Sequence, residues 1–406
     1  MANYTSGKLA FRQKGKIVER IIFIDHPNPD EKITGPCVVD GWTVSPDASE
    51  SIQIKVNGKA HSVHTVPRPD VEADHPGRNG KGFIFFLDPH PEINEYFIEF
   101  CIGNVKREIL VKLDSETLRK AKSAIDIRAK HKSFLKTILA CAQCRMPIGD
   151  SSIEGRIWAC ENCGENFDCR MGLDLIPESY EGKANIQFQG AICSHGYDQH
   201  VTDVIERVSQ ANGMVLDCGA GWRHAIHPNV ITTEILRYPS TDVVSVGEKL
   251  PFQDESFDAV ISLHVLEHVE NPFVCAKELI RVLKPGGTIV ACTPYIVGVH
   301  GFPFHFFNPT PSGLHALFGK YVDNAEISIP PVAHPVVALK ELLRVYAEHF
   351  NETDRIEFRN TKIGDLMDYD TDDLLSNHLT KSFYESGMST LAANYMITAR
   401  KSEHSH

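Results

Sequence analysis

Four cysteines in the middle of the chain have the spacing of a metal site. They form two pairs in the pattern C-x2-C-x15-C-x2-C. Each pair makes a tight knuckle that points two thiolates at one centre, so two knuckles complete a tetrahedral site for Zn²⁺. Four thiolates leave no position for a reacting water, which predicts a zinc ion that holds structure only. The predicted ligands are Cys141, Cys144, Cys160 and Cys163.

A second signal is the stretch MVLDCGAGWRH, which contains Asp217, Gly219 and Gly221. Its apolar start predicts a buried strand that ends at the aspartate, and the two glycines let the backbone pass close to a ligand where a Cβ would collide. Glu234 ends the next apolar run, 17 residues after Asp217, and a carboxylate there can accept hydrogen bonds from both ribose hydroxyls of a nucleoside. A dinucleotide site needs a third glycine, and the tripeptide Trp-Arg-His follows instead.

Three histidines are candidate catalytic bases. His264 follows the apolar run ISL, and His300 and His305 lie in the Phe-rich segment HGFPFHFFNPTPSGLHALF. Histidine has an unperturbed pKa of about 6.5, so it can take a proton from a hydroxyl near neutrality. Each histidine taken alone is better explained by a structural hydrogen bond, but the set favours a catalytic site. The aromatic side chains predict either walls that stack on a sugar or base, or ordinary core packing.

The order of these motifs closely resembles the class I S-adenosylmethionine-dependent methyltransferases. The subgroup is the methyltransferase type 11-like one, whose pattern LPF.D.SFD.V......LEHV..P......E..RVLKPGG is matched by LPFQDESFDAVISLHVLEHV and NPFVCAKELIRVLKPGG. The resemblance covers about 195–325 and implies S-adenosylmethionine as the cofactor. In the family an acidic residue usually holds the adenine amino group at the position of Val246 or its neighbour Gly247, so that either Glu248 substitutes for it here or the contact is lost. The implied cofactor-binding residues are Asp217, Gly219, Gly221, Glu234, Glu248, Leu250 and His264.

Three looser resemblances bear on the other parts of the chain. The cysteine stretch through GLDLIP resembles zinc ribbons in certain ribosomal RNA guanine methyltransferases and in activator proteins of tRNA methyltransferases. The segment HGFPFHFFN resembles one in methyltransferases of bacterial polysaccharide and O-antigen gene clusters, and the polar run RPDVEADHPGRNGKGF resembles accessory domains of glycan-processing enzymes. The last two resemblances imply O-methylation of a carbohydrate or another small hydroxylated acceptor.

The periodicity of apolar residues predicts the strands and helices that must position these residues. Short alternating runs between residues 21 and 113, with a hairpin signal at Asn57-Gly58, predict an antiparallel β-sandwich, and RPDVEADHPGRNGKGF reads as a long polar loop in it. Apolar runs that alternate with helical stretches predict a Rossmann-like α/β domain that ends in the strand AANYMITARK. The predicted parts are a β-sandwich accessory domain (1–115), a helical linker (116–135), a zinc ribbon (136–180) and a methyltransferase domain (181–406) with an insertion at about 330–392.

Composition limits the partners. The 406 residues suggest two to four domains, and the net charge of -12 means that the average surface repels nucleic acid. A basic stretch from Lys112 to Lys136 is better explained as a solvated helix than as a nucleic-acid site. The chain has no apolar run of membrane-spanning length and no apolar core of a secretory signal at its start, so we expect a cytoplasmic protein. A homo-oligomer or a biosynthetic partner protein stays open.

Three functions are compatible with these residues. The leading hypothesis is a methyltransferase for a glycan or another small hydroxylated acceptor. The second keeps the chemistry and changes the substrate to an RNA gripped by the zinc ribbon and the basic stretch. The third is a scaffold protein with an inactive methyltransferase fold, which only the unusual residues around Val246 support.

Overall fold

The computed structural model describes residues 20–27, 35–149, 153–180, 194, 196–301 and 304–392. Within them, no helix is both long enough and apolar enough to cross a membrane. The described residues form two antiparallel sheets at the N-terminal end, a long helix, a small cysteine-containing segment and an α/β part with appended helices.

The N-terminal sheets contain eight strands. They are β1 (Ile21–His26), β2 (Cys37–Ser45), β3 (Gln53–Val56), β4 (Lys59–His61), β5 (His64–Pro67), β6 (Asn79–Leu87), β7 (Glu95–Ile102) and β8 (Val105–Lys112). They pair in the orders β1-β2-β6-β5 and β4-β3-β7-β8, and all of these pairs are antiparallel. Both sheets contribute to one core, with Phe83 and Phe85 from one and Ile98 and Phe100 from the other.

Turn chemistry explains one predicted feature of these sheets and corrects another. The hairpin predicted at Asn57-Gly58 is confirmed: it joins β3 to β4, and the two residues have φ values of 48° and 79°. Positive φ at both central positions is what a tight two-residue hairpin requires. The prediction of a long polar loop at 68–83 is wrong, because the stretch contains the short helix α1 (Pro69–Asp74) and the start of β6.

A helix of 24 residues, α2 (Ser115–Ile138), follows the sheets. The Asp114 side chain caps it by accepting a hydrogen bond from the Thr117 N–H at 2.8 Å. The helix is more than the predicted linker, since it contacts both of its neighbours. Arg128 pairs with Asp88 of the N-terminal part at 2.9 Å and donates to the carbonyl of Pro239 in the α/β part at 2.8 Å.

The cysteine segment, residues 139–175, is joined to the α/β part by backbone hydrogen bonds. It contains the antiparallel pair β9 (Ile157–Ala159) and β10 (Asn166–Asp168). Leu175 donates its N–H to the carbonyl of Val244, and Val244 donates back to the carbonyl of Leu173, both at 2.9 Å. The side chains of this segment belong to the same buried cluster as the central sheet of the α/β part.

The α/β part is built on a parallel sheet in the order β13-β12-β11-β14-β15. The strands are β11 (Val215–Cys218), β12 (Val230–Glu234), β13 (Val243–Val244), β14 (Phe257–Leu263) and β15 (Leu283–Cys292), with helices α3 (Gln199–Gln210) and α4 (Pro272–Val282). The Pro-Gly-Gly run that follows α4 lies inside β15, which starts directly after the helix. Asp258 has a structural role, since its side chain accepts a hydrogen bond from the Met214 N–H at 2.8 Å.

The region predicted as an insertion is helical in its described residues. After α5 (Pro311–Phe318) and a short 3-10 turn (Pro331–Ala333) come α6 (Pro335–Glu348), α7 (Glu352–Asn360), α8 (Ile363–Asp368), α9 (Thr371–Ser376), α10 (His378–Ser382) and α11 (Glu385–Leu391). The predicted final strand, AANYMITARK, lies outside the described residues apart from Ala392.

Candidate functional site

The glycine turn, residues 218–221, leaves β11 at the carboxyl edge of the sheet. Gly219 and Gly221 have φ values of 73° and 62°, which side chains rarely adopt. A Cβ built on Gly219 would lie 2.2 Å from Cγ2 of Val265, so that neighbour also excludes a larger residue. Val265 lies in the loop after β14. Its close approach to Gly219 therefore places that loop next to the glycine turn, and the sequence predicts site residues in both.

Glu234 ends β12 beside this turn. Its half-buried carboxylate accepts hydrogen bonds from the Gly221 N–H at 2.7 Å and the Ile235 N–H at 2.8 Å. Burial raises the pKa of Glu234, and the backbone hydrogen bonds oppose that shift. A carboxylate has about four lone-pair positions, so these two bonds leave acceptor capacity for the hydroxyls of a ribose.

Asp217 lies behind the turn and is fully buried. Its Oδ2 accepts from the Tyr197 hydroxyl at 2.6 Å and from Arg223 Nε at 2.9 Å, and Arg223 also stacks over the Tyr197 ring at 4.3 Å. Burial raises the pKa of the Asp217 carboxyl, while Arg223 and Tyr197 oppose the shift. One oxygen of the residue assigned to the methionine end of a cofactor is therefore held by an internal network, while the other, Oδ1, has no hydrogen-bond partner among the described residues.

The residues predicted for the adenine side lie after β13. Val246 and Glu248 are buried, and the Leu250 side chain belongs to the central core. The Leu250 N–H donates to Glu278 Oε2 at 3.3 Å, and Glu278 Oε1 accepts from Arg145 of the cysteine segment at 2.7 Å. This side of the site is therefore linked to the cysteine segment through the carboxylate of Glu278.

The loops after β14 and β15 bring together what we call the histidine cluster. It consists of His264, Glu267, His268, His300 and His305. The predicted residues His300 and His305 meet with ring centroids 4.3 Å apart, and the third, His264, has its Nδ1 3.8 Å from Glu267 Oε1. The sequence analysis does not include Glu267 and His268 among the site residues, and the signal that could have indicated them is the adjacent pair in LEHV.

Glu267 is the unusual member of the histidine cluster. Its side chain is fully buried, and neither carboxylate oxygen has a hydrogen-bond partner among the described residues. Burial raises the pKa of its carboxyl to about 7. Buried polar groups in folded proteins are almost always paired, so an unpaired carboxylate among histidines calls for an explanation.

Trp222 follows the glycine turn and points to the N-terminal sheets. It is buried in a cluster with Val66, Ile84 and Tyr238, and its ring centroid lies 5.4 Å from that of Phe86 on β6. Trp222 stands where a dinucleotide site would have its third glycine. It therefore makes a contact between the α/β part and the N-terminal sheets.

The four predicted zinc ligands converge. Their sulfur atoms all lie within 4.8 Å of one another, with Cys141 and Cys163 at 3.7 Å and Cys144 and Cys160 at 3.6 Å. Zinc–sulfur bonds of about 2.3 Å in a tetrahedron place neighbouring sulfurs about 3.8 Å apart, which fits these distances. Both knuckles turn in the same way, because the residues after their second cysteines, Arg145 and Gly164, have positive φ values of 65° and 77°. The nearby Cys169 is buried and donates to the carbonyl of Asp174 instead.

The α/β part is similar to known methyltransferases. Residues 223–291 match the family model described as "Methyltransferase domain". The chain is 34% identical over 90 residues to demethylmenaquinone methyltransferase of Streptomyces griseus, covering 22% of this chain and 33% of that protein. It is 34% identical over 95 residues to ubiquinone/menaquinone biosynthesis C-methyltransferase UbiE of Geotalea daltonii, covering 21% and 40%. The chain spans about a third of the length of the first curated relatives it matches.

Solved structures are similar at low identity. A possible histamine N-methyltransferase from Thermotoga maritima has 22% identity and a TM-score of 0.22, covering 30% of this chain and 69% of that one. Phosphoethanolamine N-methyltransferase 2 of Haemonchus contortus, in complex with S-adenosyl-L-methionine, has 15% identity and a TM-score of 0.27, covering 48% and 49%.

The matched segment starts just after the glycine turn and ends in β15, so it includes Glu234, the loop after β14 and α4. Over residues 223–291 the α/β part of this chain is therefore similar to a methyltransferase domain.

Proposed function

We propose that the whole protein is an S-adenosylmethionine-dependent methyltransferase that acts on an oxygen-bearing small molecule. One observation supports this most strongly: the glycine turn, the Glu234 carboxylate and the histidine cluster all follow strands at the carboxyl edge of one parallel sheet. Ligands of open α/β sheets bind at that edge. A nucleoside-binding carboxylate and candidate proton acceptors are thus placed on either side of the same turn.

The cofactor side fits S-adenosylmethionine, which supplies an activated methyl group when bound. The glycines allow close approach of the backbone, and Glu234 has lone pairs left for the ribose hydroxyls. Asp217 supports this site from behind, since Tyr197 and Arg223 cover its carboxylate. Buried Glu248 and the backbone around Leu250 form the adenine side.

On the acceptor side, His264 is the best-placed base. Its side chain is 46% exposed at the end of β14 and it adjoins Val265, which contacts the glycine turn. His305 is less suitable, because its Nε2 meets Asn308 Oδ1 at 2.7 Å and its Nδ1 accepts from the His300 N–H at 3.1 Å. As the acceptor oxygen loses its proton to the histidine, it forms a bond to the methyl carbon and the carbon–sulfur bond breaks, with the electron pair left on sulfur.

A carbohydrate or similar hydroxylated molecule is the proposed acceptor. Phe306 and Phe307 are 42% and 44% exposed next to the histidine cluster, and Phe304 stacks on Phe306 with ring centroids 5.8 Å apart. Exposed rings of this kind stack on sugar or aromatic faces. A second candidate is a quinol-type ring methylated at carbon, which the names of the two curated relatives favour. Both acceptors carry a hydroxyl that has to lose a proton.

The RNA alternative has weaker support. In the basic stretch, Arg128 and Lys132 form ion pairs with Asp88 and Glu154. The positive charges of these two side chains are already paired with carboxylates, whereas binding of RNA phosphates would need them. For the four-cysteine centre we propose a structural Zn²⁺ that fixes the cysteine segment against the sheet.

The cofactor proposal is tested by titrating S-adenosylhomocysteine calorimetrically into wild type and Glu234→Gln. A charged hydrogen bond contributes about 1.5–3 kcal/mol, so we expect the substitution to weaken binding about 10- to 150-fold. Glu206→Gln, on the exposed face of α3, is the control and should bind as wild type does. Absence of binding by wild type would favour the scaffold alternative, and unchanged affinity in Glu234→Gln would remove the ribose assignment.

The acceptor proposal is tested by incubating the protein with labelled S-adenosylmethionine and separate pools of glycans, quinols, RNA and protein. Label in glycan with an alkali-stable O-methyl group is the expected result. Label on a ring carbon of quinols would establish the second candidate, and label only in RNA would contradict both.

A further inference from the structure

We propose that Glu267, His268 and His300 form a binding site for a divalent transition-metal ion, separate from the four-cysteine centre. One ligand atom from each of the three side chains lies within 4.8 Å of the other two. His268 Nε2 and Glu267 Oε1 are 3.9 Å apart. Ligands about 2.1 Å from a tetrahedral metal are about 3.4 Å apart, so roughly half an ångström of movement would bring this pair to bonding geometry.

The two histidines are oriented as metal ligands are. His268 Nδ1 lies 2.7 Å from the carbonyl of Phe304, and His300 Nδ1 lies 2.9 Å from the carbonyl of Gly298. A ring nitrogen that faces a carbonyl has to donate, so the proton of each neutral ring is on Nδ1 and Nε2 carries a free lone pair. Metal-binding histidines almost always donate their other N–H to a carbonyl, a carboxylate or water in this way.

The carboxylate supplies independent support for a ligand. Glu267 is fully buried, and neither of its oxygens has a partner among the described residues. An isolated buried carboxylate is costly unless a cation or a donor compensates it. Glu267 Oε1 lies 3.8 Å from His264 Nδ1 and 3.9 Å from His268 Nε2, and no arginine or lysine among the described residues forms an ion pair with it. A dication held by Glu267 and two neutral rings would provide the missing charge.

The backbone holds this arrangement in place. A Cβ built on Gly301 would lie 2.4 Å from Cε1 of His268, and Gly301 has a φ of 61°. The backbone N–H groups of Phe306 and Phe307 donate to the Glu267 carbonyl at 2.7 Å and 3.3 Å, which ties the loop after β15 to the loop after β14. The three candidate ligands are thus fixed by packing before any ion binds.

The donor set indicates the class of ion. Two imidazoles and one carboxylate suit Mn²⁺, Fe²⁺, Co²⁺ or Zn²⁺, and three protein ligands leave coordination positions open. The His268 and His300 side chains are only partly buried, so small molecules can reach the site. Resting on the proposed function, we assign the open positions to neighbouring oxygens of the acceptor, whose hydroxyl the ion would polarise as a Lewis acid.

A comparison group exists in the same chain. Asp354, Glu357 and His378 also lie close enough to hold an ion, but they are on the surface, and His378 Nε2 is already paired with Glu357 Oε1 at 3.0 Å. Exposed acidic groups of this kind are common without a metal, so this group serves as the control.

The test counts bound dications in the full-length protein. Wild type, Glu267→Gln, His300→Ala and the control His378→Gln are dialysed against Mn²⁺, freed of unbound ions by gel filtration, and analysed for manganese and zinc together by plasma mass spectrometry. Wild type and His378→Gln are expected to hold one dication more per chain than the two cluster variants. Mn²⁺ affinity, measured from the free-ion electron paramagnetic resonance signal, should fall more than about 100-fold in those variants, since loss of even a supporting contact costs about 10–100-fold.

Two further measurements keep the outcomes distinct. Glu267→Gln removes a buried unpaired charge, so its unfolding midpoint without added Mn²⁺ should be equal to or higher than that of wild type. Loss of the ion in this variant would then not result from loss of the fold. Equal dication counts in wild type and both cluster variants would overturn the metal site. A protein that binds the extra dication but not S-adenosylhomocysteine keeps the metal site and loses the methyltransferase proposal, and the reverse result loses the metal site alone.

Discussion

Removal of the Trp222 side chain tests whether the N-terminal sheets stabilise the glycine turn. Trp222 is 5% exposed, directly follows Gly221, and packs against Phe86 of β6. The Gly221 N–H in turn donates to Glu234 at 2.7 Å. Loss of the indole should therefore loosen both the contact between two parts of the chain and the carboxylate proposed to bind the ribose.

The magnitude follows from the burial of the ring. Truncation of a buried tryptophan to alanine costs about 3–5 kcal/mol of unfolding free energy. Trp222→Phe should cost less than about 2 kcal/mol, because the indole Nε1 has no hydrogen-bond partner among the described residues and its removal relieves an unsatisfied donor. A double-mutant cycle of Trp222→Ala with Phe86→Ala should show a coupling energy of about 0.5–1.5 kcal/mol, as expected for an aromatic pair.

Urea unfolding followed by far-ultraviolet circular dichroism measures these differences, and calorimetric titration with S-adenosylhomocysteine measures the effect on the turn. The control is Phe97→Ala, an aromatic on β7 that is 41% exposed and lies away from this contact. Phe86→Ala should weaken cofactor binding although Phe86 belongs to the N-terminal sheets. A Trp222→Ala protein as stable as Phe97→Ala, or a Phe86→Ala protein with wild-type affinity, would refute the reasoning.

Two further perturbations address how the parts are joined. His131 is buried with Nδ1 3.0 Å from Asp242 and Nε2 3.0 Å from the carbonyl of His227. His131→Ala removes one partner of the Asp242 carboxylate, which keeps its hydrogen bond from the Thr232 N–H, so the substitution should cost about 1–3 kcal/mol in urea unfolding, whereas the exposed His200→Ala should cost little. Removal of the proposed zinc by a chelator, or Cys144→Ser, should lower the unfolding midpoint of the whole α/β part, because its core is continuous with that of the cysteine segment. Added Zn²⁺ should reverse the effect of the chelator. The control Cys101→Ser should unfold as wild type does.

Local patterns allowed much of the fold to be predicted. The Asn57-Gly58 turn, the two cysteine knuckles and the strand that leads to Asp217 each depend on residues close in sequence. Turn type, ligand spacing and apolar runs carry that information directly. The start of β15 could not be predicted in this way, because a Pro-Gly-Gly run is typical of a turn and only pairing with β14 shows that Leu283 already belongs to the strand.

The site was harder to predict, because its geometry depends on distant partners. Nothing near Asp217 in the sequence indicates that Tyr197 and Arg223 both bind its carboxylate. Likewise, the sequence pattern LEHV does not reveal that Glu267 is buried without a partner, since this depends on where the loop containing His300 returns to the sheet. Long-range packing therefore decides which polar residues reach a ligand and which ones support those that do.

The same long-range contacts explain why the glycine turn can dispense with a third glycine. The residue after Gly221 does not face a ligand, because the Trp222 ring packs outward on the N-terminal sheets. On the opposite side of the site, Arg145 of the cysteine segment pairs with Glu278, whose other oxygen accepts from the Leu250 N–H. Each accessory part thus braces one loop of the candidate cofactor site. A truncated chain that lacks either part should therefore lose cofactor affinity even where its parallel sheet still forms.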